Sequence, residues 1–128
     1  MKWLPMKRCL FIGLLFLSST IHAMWMTVMR TETATVYMDS SAIVKVGQHK
    51  RVWVVYDLRE PDSSGQRSVK SYMEYDCAEG TYRTLAASSH AQPMGNGPAL
   101  KALPVPAQPK PVTQDALSRQ VYGFACAW

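Results

Sequence analysis

The chain has 128 residues, 14 of them basic and 9 acidic, and three cysteines. That length holds one domain and excludes a second once a leader is set aside. The basic excess is concentrated at the start, where Lys2, Lys7 and Arg8 precede an apolar run from Cys9 to Leu17. Charge, a short apolar run and then Ser18, Ser19 and Thr20 follow the order of a secretory leader, and a cut is expected after Ala23. The run is too short to cross a bilayer, which takes about 20 apolar residues, and this argues against an uncleaved anchor. Basic residues ahead of Cys9 and the apolar run behind it also exclude lipid attachment there. Removing residues 1–23 leaves 105 residues, eleven basic against nine acidic, for a net charge of about +2. A duplex-binding surface needs a clustered basic stripe, so no nucleic acid is expected as a partner.

From Trp25 to Ser89 short β-prone runs alternate with turn residues, the pattern of an antiparallel meander. Strands are predicted over Met26 to Arg30, Ala34 to Met38 and Ala42 to Val46, the last ending at a Gly47-Gln48-His49 turn. Asp39-Ser40-Ser41 reads as a turn closed by side-chain to backbone hydrogen bonds. Arg51 to Leu58, rich in β-branched and aromatic residues, is predicted to be a central strand. After the polar loop Arg59 to Arg67 come Val69 to Asp76 and Tyr82 to Ser88, joined by Ala78-Glu79-Gly80. Alternation places Val69, Ser71, Met73, Tyr75 and Cys77 on one face, and Lys70, Tyr72, Glu74 and Asp76 on the other. Likewise Val52, Val54, Tyr56 and Leu58 form an apolar side opposite Arg51, Trp53, Val55 and Asp57. One sheet face is therefore expected to be core and the other partly wet.

Gly95-Asn96-Gly97 reads as a turn, and prolines at 98, 104, 106, 109 and 111 mark residues 98–111 as an extended connector without strands. Thr113 then stands as the cap of a short helix with Asp115 in its first turn and Leu117, Val121 and Phe124 as its apolar stripe. So short a helix is marginal alone and must dock. After cleavage Cys77 and Cys126 are the only cysteines, and an exported pair in an oxidising compartment is expected to be bridged rather than left as two buried thiols. A bridge would staple the helix to the apolar sheet face. The fold class expected is α+β: an antiparallel sheet of about five to six strands with a C-terminal helix on one face.

Chemistry is scarce. His22 leaves with the leader, and His49 and His90 stand alone in the sequence, as solvated loop histidines do, so no metal site is expected. Serines lack a nucleophile-elbow context, and no phosphate-binding loop surrounds the glycines, so neither catalysis nor a cofactor is expected. The methionines are scattered, as core filling is.

The residues carry a family likeness. Trp25 after the leader, VYMDSSAI from Val36 to Ile43, RVWVVYDL before a polar loop and YDC at Tyr75 to Cys77 come in that order. YRTL at Tyr82 to Leu85, PMGNG from Pro93 to Gly97 and a cysteine near the C-terminus complete the set. In this the chain resembles the surface-adhesin protein E family of Gram-negative bacteria. The resemblance implies a twisted antiparallel sheet holding a C-terminal helix through the two cysteines. It also implies a role in adhesion to host extracellular-matrix proteins such as vitronectin and laminin; the exported chain is expected in the periplasm or at the outer cell surface. A periplasmic accessory protein that binds another envelope component is the competing reading. The residues for a partner are Arg51 and Trp53 on one strand and Lys70 and Tyr72 on another, which share a face if those strands are neighbours; Trp, Tyr and Arg are the types enriched at binding hot spots. A homodimer is the other use of that face.

Overall fold

The computed structural model describes residues 22–128. The predicted leader lies outside that range except for His22 and Ala23, which are exposed and in no regular structure. Eight strands follow: β1 Trp25–Arg30, β2 Ala34–Asp39, β3 Val44–Val46, β4 His49–Leu58, β5 Ser68–Asp76, β6 Thr81–His90, β7 Ala99–Ala102 and β8 Lys110–Pro111. Among the described residues one α-helix, α1 Ala116–Cys126, follows the strands. All strands pair antiparallel in one open sheet of order β1-β2-β4-β5-β6-β7, with β3 on β4 and β8 on β6. This is the α+β class expected, with two strands more.

The six strands read from alternation are all present. The two added ones fall inside the segment expected to be a strand-free connector, and the reason is local. Between Pro98 and Pro104 the run Ala-Leu-Lys-Ala-Leu keeps its backbone donors, so Ala99–Ala102 can pair with β6. Pro111 sits opposite Thr81 on an edge strand, where a missing N–H costs nothing. Central placement of β4 follows from its composition: His49–Leu58 pairs with β2 and β3 on one side and β5 on the other.

The core lies between the sheet and α1. Val36, Met38, Val52, Val54 and Tyr75 point from the strands, and Val112, Val121 and Ala125 meet them. The cap differs from the expectation. Thr113 lies in a single 3-10 turn, Val112–Gln114, and Asp115 caps α1: its two carboxylate oxygens accept from the Ser118 N–H at 2.7 Å and the Ser118 hydroxyl at 2.8 Å. The stripe is also rotated. Ser118, Val121 and Ala125 are buried whereas Phe124 is 37% exposed, because at 100° per residue Phe124 falls at the margin of the arc that the other three define. Cys77 and Cys126 form the disulfide, their Cα atoms 5.7 Å apart, and the Tyr122 hydroxyl donates to the Cys77 carbonyl beside it.

The second face is less open than alternation suggests. A 3-10 turn, Pro93–Gly95, folds over its far end and leaves Val55 fully buried. Its amides are held from below: Met94 N–H donates to Asp57 Oδ1 at 2.9 Å and Gly95 N–H to Ser68 Oγ at 2.8 Å. These two bonds hold Met94 in the left-handed region at φ 60°, a conformation that costs a non-glycine residue free energy.

Candidate protein-binding face

What the turn leaves uncovered is a strip across β4, β5 and β6 near the Gly47-Gln48 hairpin. Directly opposed residues of antiparallel strands share a face, so the register alone defines its rungs. Trp53 lies opposite Tyr72, with ring centroids 4.7 Å apart and planes at 30°. Lys70, one rung further, extends its ammonium over the indole, 4.8 Å from the ring centroid, in a cation–π contact. Its stem is aimed by the turn above: a methyl group built on Gly95 would stand 3.0 Å from Lys70 Cβ. The next rung is Arg51, Glu74 and Arg83. Arg51 Nε donates to Glu74 Oε2 at 2.7 Å and Arg83 Nε to Oε1 at 2.9 Å. Glu74 is only 4% exposed between the two half-exposed guanidiniums. Burial alone would raise its pKa, but the hydrogen bonds from Arg51 and Arg83 outweigh that and hold the carboxyl below its usual range.

The last rung is His49 opposite Asp76, with His49 Nε2 3.1 Å from Asp76 Oδ2. The Glu79 amide, the Gln48 side chain and the Ala78 amide keep Asp76 below the ordinary carboxylate range. A depression of about 240 Å³, lined by His49, Glu74, Asp76, Thr81, Arg83 and Pro109 among others, opens between these rungs and the chain leading to β8. Val44 and Val46 of β3, opposite Arg51 and His49, add an exposed apolar margin.

The four residues named from sequence, Arg51, Trp53, Lys70 and Tyr72, are thus together on one face, with Trp53 and Tyr72 in contact. Missed were Arg83 and the Val44 and Val46 margin. Arg83 was legible in part: the short connection after Asp76 sets Glu74 against Arg83. Two histidines depart from the expectation of solvated loop residues. His49 opens β4 and is bonded to Asp76. His90 ends β6, is 6% exposed, and sits between Ser88 Oγ at 2.8 Å from Nε2 and the Gly97 carbonyl at 3.2 Å from Nδ1. A carbonyl only accepts, so Nδ1 carries a proton, and in the neutral ring Nε2 is the acceptor for the serine.

Fold and face together define a class, the single-sheet α+β domain closed on one side by a disulfide-tethered helix and open on part of the other. The chain belongs to the surface-adhesin protein E family, whose family model matches residues 25–127. A crystal form of Haemophilus influenzae protein E superposes with a TM-score of 0.64 at 18% identity, covering 84% of this chain and 91% of that one. A second structure of Haemophilus influenzae protein E gives 0.61 at 17% identity, with 84% and 87% covered. Protein E from non-typeable Haemophilus influenzae gives 0.60 at 18%, with 85% and 79% covered. At such identities the likeness is one of fold. No curated protein matches the chain.

Proposed function

We propose that this chain is exported, loses residues 1–23, and acts as a non-catalytic binding module at the envelope of a Gram-negative bacterium. Its ligand is a protein of the host extracellular matrix, of the vitronectin or laminin kind, and the contact runs through Arg51, Trp53, Lys70 and Tyr72. Membership of a surface-adhesin family supports the class of function. The observation that carries the site is the Trp53–Tyr72 stack under Lys70, a rigid aromatic and cationic group on the sheet face that α1 leaves free, at the margin of the Pro93–Gly95 turn. Stacked rings present a large area at little cost in side-chain entropy, and such residues dominate binding energies at protein interfaces.

Trp53→Ala and Tyr72→Ala, each confirmed to fold, should weaken binding to immobilised vitronectin or laminin at least tenfold, about 1.4 kcal/mol, with the mass in solution unchanged. Unchanged affinity removes this face as the site, and a fall in oligomeric mass alone makes it a dimer surface. Labelling intact cells with an impermeant reagent separates a surface adhesin from a periplasmic accessory protein, which would stay protected.

A further inference from the structure

The Asp39-Ser40-Ser41 turn does more than close on itself. Asp39 Oδ1 accepts from the Ser41 N–H at 3.0 Å and the Ser41 hydroxyl at 2.6 Å, as a local turn requires. It also accepts from the backbone nitrogen of Met24 at 3.2 Å, and Ser41 Oγ stands 3.4 Å from the same nitrogen. Ser40 holds the other end of that residue, its N–H and hydroxyl donating to the Met24 carbonyl at 2.9 and 3.1 Å. Three consecutive side chains thus grip both backbone groups of one residue, immediately ahead of β1. Asp39 is 6% exposed and takes part in no ion pair among the described residues. A buried carboxylate whose partners are all neutral lacks the charge that would best compensate it.

Met24 is where the leader reading places the mature N-terminus. Peptidase-catalysed hydrolysis of the Ala23–Met24 bond puts the hydroxyl of water on the Ala23 carbonyl and its proton on the Met24 nitrogen. The acid so formed then yields its proton, leaving a carboxylate on the departing leader and an ammonium on Met24. One neutral donor at 3.2 Å from Asp39 becomes a cation with three donors at the same place. We propose that the Asp39-Ser40-Ser41 turn is a docking site for the free α-ammonium of Met24, and that cleavage completes an ion pair which pins the edge strand β1 to β2. The inference rests on the leader reading. It gives the mature chain an ion pair where the precursor has only a neutral hydrogen bond, at the strand held by only one neighbour and by α1.

The test uses the exported protein itself. Its mass is measured first, and its α-amino group is then acetylated at mildly acidic pH, where lysines stay protonated and unreactive. Acetylation should lower the melting temperature by about 5 °C, the equivalent of roughly 1 kcal/mol in a domain of this size. Reductive methylation, which keeps the positive charge, should leave melting unchanged, and the acetylation effect should vanish in Asp39→Asn. A mass that starts elsewhere than Met24 overturns the leader reading and the docking together. A chain that starts at Met24 and melts alike before and after acetylation, or loses as much in Asp39→Asn, overturns the docking alone.

Discussion

Two glycines show how one substitution changes sign with its surroundings. Gly95 has φ 66° and lies against the Lys70 stem, so a side chain there meets both a left-handed backbone and a 3.0 Å contact. Gly95→Ala should cost about 2 kcal/mol and displace Lys70 from Trp53, which a thermal melt and tryptophan fluorescence would register. Gly123 sits on the outer side of α1 with ordinary helical φ and open space around it. Gly123→Ala should raise stability by about 0.5–1 kcal/mol, because only the unfolded chain loses freedom. At this scale Glu74 is also explained: a carboxylate that alternation leaves on the wet face is buried because two arginines close over it.

Among the elements, α1 depends most on a single group. Asp115 caps it and accepts from Tyr82 on the sheet as well, so the cap also ties helix to sheet. Burial would raise the Asp115 pKa, but the Ser118 amide and hydroxyl and the Tyr82 hydroxyl outweigh it, and the folded value lies below the ordinary one. A depressed folded pKa contributes stability that is complete above the unfolded value of about 4 and is lost as pH falls through the folded value. Melting temperature should therefore be level above about pH 5 and fall below about pH 4. Asp115→Asn keeps a capping acceptor without the charge, so its acid slope should be shallower in the same melts, the remainder belonging to Asp62, Glu74 and Asp76. An identical slope would remove Asp115 from the acid response.

For the molecule as a whole, the disulfide is the tether between α1 and the sheet. It closes a loop of 49 residues, for which chain entropy gives about 4 kcal/mol. Cys126→Ser, or reduction of the wild type, should lower the melting temperature by on the order of 20 °C, read by circular dichroism with and without reductant. The helix is expected to undock first. Beyond the bridge, side-chain packing and the Tyr82 and Tyr122 hydroxyl bonds hold it to the sheet, whereas the strands carry their own backbone ladder.

Strand alternation, the turn glycines, the cysteine pair and the amphipathic C-terminal run were enough to read six strands, one helix and its tether, while the family likeness came from the order of motifs such as RVWVVYDL and YDC. They sufficed because these are local signals: a period of two, a residue that tolerates positive φ, and the only two cysteines left after the expected cleavage. The face holding Arg51, Trp53, Lys70 and Tyr72 was readable for the same reason, since β4 and β5 pair without a shift from His49 to Asp57. Tertiary structure decided the rest. On β6 the pairing slips at Leu85, so Arg83 and Ala86 share a face that strict alternation would divide, and the place of Ala86 opposite Tyr72 stays hidden from periodicity. The burial of Val55 and Glu74 depends on a turn and on side chains far away along the chain. Asp39 binds Met24 across fifteen residues for the same reason: β1 and β2 bring the two together only once they pair, and no local rule along the chain encodes that meeting.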